Sequence, residues 1–495
     1  MAPGTDPQIA GKVVHGSLIS GVSSVVTIGL GFVRTILLTI FLLPDDVGVV
    51  TQALFFVTLA AQIRMPGIDR ALIQREDTPA GFFETYFTLR TALVLVSIGI
   101  MAGLTPFIAP FYPDMPLLAL ILIAFLLIEI PKAFNEVQEI INRRNLSFGA
   151  IAQADMASAV FSTIAAPLLA WLGLGPWSLV GERVAAQAAR GAVFWLLGKP
   201  QRLRVGFDKQ IARWFWNFGI KVWAGGTLTF VLDRFDDFWV GLTLGQSPLG
   251  LYSRAYEFAR YPRSVVGVPV LSVFYATFAR LQADRLRLSK AFFRAAGVIV
   301  RVGFLFSLLF ILTAPEFIQL LGEQWLPMQT TFQLMVVYTL LDPLGMAAGR
   351  LLTAVNHPEL TARSRGIQLL IFVPTVIGLS MWQGIVGVAI AADIMAAVGI
   401  VFLFHHTRKF VDYSMRVLFF WPTVALAGTA VPVLLLTPTW QQLNPWLALP
   451  LKLLLIFLLY VTILWLTERE QLKSIWQIIW NLAQPSLARF RHRGD

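Results

Sequence analysis

Long apolar runs separated by short polar punctuation dominate this chain. A bilayer-crossing helix needs about 20 mostly apolar residues, with tilt accommodating more. Fourteen segments meet that requirement: 16–43, 47–63, 86–108, 117–141, 150–171, 176–197, 214–244, 249–279, 295–314, 328–352, 367–383, 385–405, 417–436 and 447–466. The pattern predicts an all-α integral membrane protein of about 14 transmembrane helices, with no soluble domain in its short connections. The first run follows a mildly polar start and has no small-residue cleavage site, which predicts a spanning helix rather than a signal peptide.

Basic residues alternate with this pattern. One set of connections holds Lys12; Arg64, Arg70, Arg75 and Arg90; Arg143 and Arg144; and Lys199, Arg202, Arg204, Lys209 and Arg213. The same side continues with Arg280, Arg285, Arg287, Lys290 and Arg294, then Arg350, Arg363 and Arg365, then Arg408, Lys409 and Arg416, and a basic tail. The opposite loops (PDDVG, TPFIAPFYPDMP, LGLGP, GQSP, APEFIQLLGEQWLP, MWQG and TPTWQQLNP) contain no Lys or Arg. Positive charge marks the cytoplasmic side, so both termini of this multi-pass chain are expected in the cytoplasm. Arg254 and Lys452, just inside outer helix ends, fit this rule least well.

An internal repeat aligns LLPDDVGVVTQA, ending at Ala53, with LGQSPLGLYSRA, ending at Ala255. The offset is 202, pairing Gly48 with Gly250 and Arg34 with Asp236. Two pseudo-symmetric six-helix halves are therefore expected, at 1–197 and 214–405, joined by a basic linker at 198–213. Two further helices occupy 406–466, and 467–495 reads as a basic amphipathic tail with Trp476 and Trp480 on one side, suited to anionic lipid. Parallel repeats of this kind place a transporter's substrate site where the halves meet.

The seventh and eighth segments carry Lys221, Asp233, Arg234, Asp236, Asp237, Arg254, Glu257, Arg260 and Arg263. Each ionised group at the bilayer centre costs roughly 2.5 kcal/mol or more unless it meets a partner or a wet cavity. Asp233, Asp236 and Asp237 fall at i, i+3 and i+4 on one helical face and need cations nearby. They read equally as a structural ion-pair network and as a charge-coupling group. Arg254, Glu257 and Tyr261 form one stripe, with Arg260 and Arg263 beside it, and Pro262 and Pro269 can kink the helix. Arg34 and Arg183 lie too deep in their segments for snorkelling; Arg190, Lys221 and Arg301 are each explicable that way. A set of arginines at this depth suits an anion, because the planar guanidinium matches phosphate oxygens. At the end of the fourth segment, Lys132 and Glu136 form an i, i+4 pair, and Glu129, Asn135, Gln138 and Glu139 are expected to emerge into water.

Composition narrows the chemistry. The 495 residues are 57% hydrophobic with a net charge of +11. The positive charges sit in loops, so they set orientation and do not indicate nucleic acid as a partner. There is no cysteine, which excludes disulfides, thiol nucleophiles and thiolate metal sites. The five histidines (His15, His357, His405, His406 and His492) have no metal-ligand spacing, and no phosphate loop or nucleophile elbow occurs. No metal, no cofactor and no enzymatic activity are expected.

The runs LGLYSRAYEFARYP and SVFYATFARLQAD resemble the polysaccharide-transporter branch of the multidrug/oligosaccharidyl-lipid/polysaccharide flippase superfamily. The likeness is to Wzx-like exporters of exopolysaccharide, colanic acid and teichuronic acid, and it covers essentially the whole chain in span count and halved architecture. It implies flipping of undecaprenyl-pyrophosphate-linked oligosaccharides by alternating access, in a monomer working beside the pathway's polymerase and glycosyltransferases. Arg34, Arg183, Arg190, Lys221, Arg234, Arg254, Arg260 and Arg263 would then line a cationic cavity for the headgroup. The resemblance also implies coupling to a proton or sodium gradient, with Asp233, Asp236, Asp237 and Glu257 as the group to carry it. The alternative reading is an ion-coupled antiporter of the drug-extrusion branch, which favours an acidic cavity and twelve spans. A polymerase or ligase would want a large external loop, which this sequence lacks.

Overall fold

A computed structural model describes residues 7–64, 67–75, 77–198, 200 and 204–491. Lys199, Arg202, His492 and Arg493 lie outside the described residues, as do the side chains of Lys12, His15, Trp476 and Trp480. Every regular element among the described residues is helical. The chain divides into two compact units, residues 1–250 and 251–495.

The first unit holds α1 (Pro7–Phe41), α2 (Pro44–Ile63), α3 (Gly67–Gln74), α4 (Phe82–Ile108), α5 (Leu118–Arg144), α6 (Phe148–Trp171), α7 (Trp177–Gly191) and α8 (Lys209–Thr243). A π-helical stretch, Ala192–Leu197, prolongs α7. Here α1 packs on α6 and α6 on α7, while α2 lies against α4, α5 and α8. The short helix α3 was not anticipated. Its Ile68, Ala71 and Leu72 are buried with Phe82, Tyr86 and Phe215, so it caps the ends of α4, α5 and α8 with an apolar face. Eight residues are too few for the span criterion, which is why it reads as a loop.

The helix α9 (Gln246–Ala259) begins in the first unit. The second holds α10 (Val268–Leu281), α11 (Arg285–Leu321), α12 (Gln329–Ala354), α13 (Pro358–Thr407), α14 (Met415–Leu435), α15 (Thr437–Gln442) and α16 (Pro445–Arg491). Its core is built from Phe278, Phe292, Val300, Leu344, Leu351 and Phe404 on α10 to α13. A smaller cluster joins α14 and α16 to α11 through Leu308, Ala425, Ile456 and Tyr460.

Among the described residues, 11 helices are long and apolar enough to cross a membrane. The 50-residue α13 breaks at Gly384, whose φ of 57° and ψ of −135° suit glycine alone, and so supplies two predicted spans. Helix also underlies the predicted sixth and seventh spans, in α7 with its π turn and in α8. Several helices overrun their apolar segments. Asp208 caps α8 by accepting from the backbone N–H groups of Gln210 and Ile211, and Asp284 caps α11 through that of Arg287. Those caps set the helix starts in the basic connections, well before hydropathy rises.

At the start of α2 and α9 two glycines meet. A Cβ on Gly48 would collide with the Gln246 carbonyl, and one on Gly250 with the Pro44 carbonyl. The Gln246 side chain also donates to the Asp45 carbonyl at 2.8 Å.

Candidate functional site

In the first unit, α1, α6 and α7 assemble around Arg34. Its guanidinium lies 3.1 Å from Glu182 of α7 and donates to the Ser162 hydroxyl of α6 at 2.8 Å. Nearer the basic connections, Arg190 pairs with Glu139 of α5 and Asp155 of α6. Arg190 is therefore not a snorkelling residue. Gln187, three residues before Arg190 on α7, meets Asn135, whose amide donates to the Gln187 carbonyl at 2.9 Å.

The end of α5 departs from expectation. Glu129, Asn135 and Gln138 are buried rather than solvated. Glu129 accepts from Lys132 at 2.9 Å and pairs with Arg64 of α2, while Arg90 of α4 bridges Asp69 of α3 to Glu136. Tyr86 donates to Asp69 at 2.7 Å. Four helices arrive at one place with alternating charge, and the ion pairs replace the water that the sequence alone suggested. Glu139 also holds Arg143 at 2.8 Å, one turn on.

On α8, Arg234 pairs with Asp237 at 3.0 Å, and Asp236 accepts the backbone N–H of Asp237 at 3.0 Å. Asp233 is exposed. The acidic cluster thus finds a cation on its own helix.

In the second unit, Arg254 is buried and pairs with Glu257 at 2.7 Å, its guanidinium 5.9 Å from the Trp325 ring centroid. Arg263 lies in a π-helical stretch, Arg263–Gly267, that links α9 to α10. It reaches Asp342 of α12 at 3.1 Å. Asp342 and Glu182 are partners the sequence reasoning missed. Each is a carboxylate set in an apolar segment, and that isolation was the available signal.

Two cations outside the expected site are buried. Arg301 of α11 is locked to Glu468 of α16 by contacts of 2.9 and 2.6 Å, so snorkelling does not describe it. Lys452, a poor fit to the charge rule, pairs with Glu316 at 2.6 Å. These pairs bind α16 to α11.

Among the described residues, Arg183, Lys221 and Arg260 are exposed and hold no ion pair. Arg183 sits on α7, Lys221 on α8 and Arg260 directly after α9, all inside predicted spans. Five of the eight expected cavity cations are thus neutralised by protein carboxylates, and three are not. A guanidinium or ammonium left unpaired on such a helix can receive an anion without first giving up a carboxylate.

Residues 37–330 match the family model described as "Polysaccharide biosynthesis protein". The lipopolysaccharide biosynthesis protein WzxC of Escherichia coli (strain K12) is 24% identical over 77% of this chain and 77% of its own length. The succinoglycan biosynthesis transport protein ExoT of Rhizobium meliloti (strain 1021) is 28% identical over 66% of this chain and 65% of its own. Among solved structures, the lipid II flippase MurJ in an inward closed conformation shares the fold with a TM-score of 0.71, at 13% identity, covering 93% of this chain and 100% of that one. An inward-facing multidrug resistance MATE family transporter of the MOP superfamily gives a TM-score of 0.55 at 14% identity, covering 83% of this chain and 97% of that one. With well over half of its length matched by that family model, this multi-pass membrane chain belongs to the polysaccharide biosynthesis protein family.

Proposed function

We propose that the protein is a flippase that carries undecaprenyl-pyrophosphate-linked oligosaccharide repeat units across a bacterial inner membrane by alternating access. The observation that carries this reading is that Arg183 on α7 and Lys221 on α8 in the first unit, and Arg260 directly after α9 in the second, are exposed and hold no ion pair among the described residues. A lipid-linked sugar pyrophosphate has a polar head that hydrocarbon strongly rejects. Basic groups that no carboxylate neutralises can replace part of its hydration, and arginine does so with a planar fork. The names of the relatives, WzxC and ExoT among them, support a glycan-linked substrate. The drug-export alternative rests on fold likeness alone.

In this reading Arg183, Lys221 and Arg260 meet the pyrophosphate, while Arg34, Arg190, Arg234, Arg254 and Arg263 hold the framework through their carboxylates. Proton or sodium coupling falls to Asp233, Asp236, Asp237 and Glu257. Both termini lie in the cytoplasm, as the charge alternation requires. The protein works as a monomer beside its polymerase and glycosyltransferases and uses no cofactor. The duplication is part of the same proposal. Gly48 with Gln246 and Gly250 with Pro44 make reciprocal contacts between positions related by the offset of the repeat.

Replacing Arg183 and Arg260 together with Gln is expected to abolish polymer export in cells while leaving folded protein in the membrane. Lys at both positions should restore export only partly. Full export by the double Gln variant would overturn the reading. In proteoliposomes, transport indifferent to both pH and sodium gradients would remove the coupling role.

A further inference from the structure

A polar cavity lies within the second unit, between α12 and the two arms of α13, and none of the eight expected cations is among its lining residues. Its volume is about 210 Å³. That is room for one phosphate group with several waters. The walls include Asp342, Arg350, Thr353, Ser364, Arg365 and Gln368.

The charge balance of that wall is positive. Asp342 is matched by Arg263 at 3.1 Å. Arg350 holds no ion pair or side-chain hydrogen bond among the described residues, and Arg365 has only a long contact of 3.3 Å to the neutral Gln368. Both arginines are half-buried, so water does not screen them fully. The decisive feature is Ser364. It is 1% exposed and lines the cavity, yet its hydroxyl has no hydrogen-bond partner. A buried donor without a partner is costly, and a bound acceptor removes that cost. The space is built into the backbone: a Cβ on Gly399 would collide with the Gln368 side chain, which therefore lies against the second arm of α13.

We propose that this cavity is an anion site that takes a phosphate group, with Arg350 and Arg365 as its cations and Ser364 as a hydroxyl donor. Both arginines belong to the basic, cytoplasmic set of connections. Two sources share that chemistry, the headgroup of an acidic phospholipid and a soluble phosphate or pyrophosphate. None of Arg183, Lys221 and Arg260 lines it, and the proposal stands whether or not those three receive the flipped substrate.

The test uses full-length protein in nanodiscs of zwitterionic lipid. One arm titrates inorganic phosphate and pyrophosphate by calorimetry. The other measures retention of phosphatidylglycerol by native mass spectrometry. Arg350→Gln/Arg365→Gln and Ser364→Ala are compared with the parent and with Arg183→Gln/Arg260→Gln. Losing two charge-assisted contacts should weaken binding about tenfold or more, and losing the hydroxyl should weaken it by a smaller factor. Arg183→Gln/Arg260→Gln should bind at this cavity as the parent does. Binding of phosphate but not phosphatidylglycerol assigns a soluble ligand, and the reverse assigns a lipid headgroup. Should the double Gln variant not fold, Arg350→Lys/Arg365→Lys reports the same site through a partial loss. Equal affinity in the parent, Ser364→Ala and Arg350→Gln/Arg365→Gln, or no saturable binding of either probe at millimolar concentration, overturns the proposal.

Discussion

Replacing Arg301 with Met should destabilise the protein far more than replacing Arg301 and Glu468 together with Met and Leu. The two side chains are 2% and 4% exposed, and they share two contacts, Nε to Oε2 at 2.9 Å and Nη2 to Oε1 at 2.6 Å. Nη1 also donates to the Gly297 carbonyl at 3.2 Å, and Tyr460 donates to the Arg301 carbonyl at 2.8 Å. Removing one partner strands a charge in a dry place, which costs roughly 3–5 kcal/mol. Removing both exchanges the desolvation penalty for apolar burial, so the double variant should recover most of that loss. Glu468 stands at a break in α16, with φ −139° and ψ 42°, so the single variant also removes what holds that break against α11.

The second pair sharpens the argument. Arg301 and Glu316 are about 22 Å apart along α11, and Lys452 and Glu468 about 24 Å apart along α16, at 1.5 Å per residue. The two helices run antiparallel, and each carries one cation and one anion. A slip of one turn would set none of the four against its partner. The ion pairs therefore fix register, a role for which buried polar contacts are well suited. Thermal unfolding in detergent, followed by loss of monodisperse protein, gives the order parent, double variant, single variant. Equal midpoints for the single and double variants would refute the reasoning, because they would mean that the pair is not coupled. Glu316→Gln should lower the midpoint as Glu468→Gln does, and the two losses should be independent because the sites are far apart.

Further outcomes follow from particular contacts. Gly48→Leu and Gly250→Leu should each cost about 1–3 kcal/mol by overpacking against a carbonyl. Gly99→Ala and Gly103→Ala, which face open space on α4, should be neutral or stabilising by about 0.5–1 kcal/mol in the same unfolding assay. Glu129→Ala should cost about 3 kcal/mol because it leaves the mostly buried Arg64 without its carboxylate, whereas Arg143→Ala, half-exposed, should fall within about 1 kcal/mol. Asp412 lies between the spans, and its hydrogen bonds to Arg285 hold its carboxyl below the ordinary carboxylate range. Its contribution is therefore present at neutral pH and lost as the pH falls through that lowered value. The stability gap between the parent and Asp412→Asn should close on acidification, and a gap that widened would contradict the sign.

Hydropathy found the helices because the bilayer imposes one simple demand, and helix lies under every predicted span, including the two arms of α13 on either side of Gly384. What it missed were features decided by contacts distant in sequence. The helix α3 is buried by α4, α5 and α8, which an eight-residue window does not report. Glu129 read as a solvated helix end because its cation Arg64, 65 positions away at the end of α2, is brought to α5 only by packing. Arg301 read as a snorkelling residue because Glu468 is 167 positions away. The same limit governs the candidate site. Charge type and depth in a span nominated eight cations, but pairing divides them, and pairing depends on carboxylates such as Glu182 and Asp342 that stand alone in their own segments. A buried arginine that already has its carboxylate gains little from a phosphate, since it must break one charge-assisted contact to make another. An arginine without one gains the full contact. Anion affinity in such a protein should therefore track the unpaired cations rather than the total of basic residues in the membrane. Substitution at Arg183 or Arg260 should lower transport at constant stability, while substitution at Arg34 or Arg254 should lower stability first. Measuring both quantities on all four variants separates the groups, and a transport loss at Arg183 accompanied by an equal loss of stability would put it back with the framework.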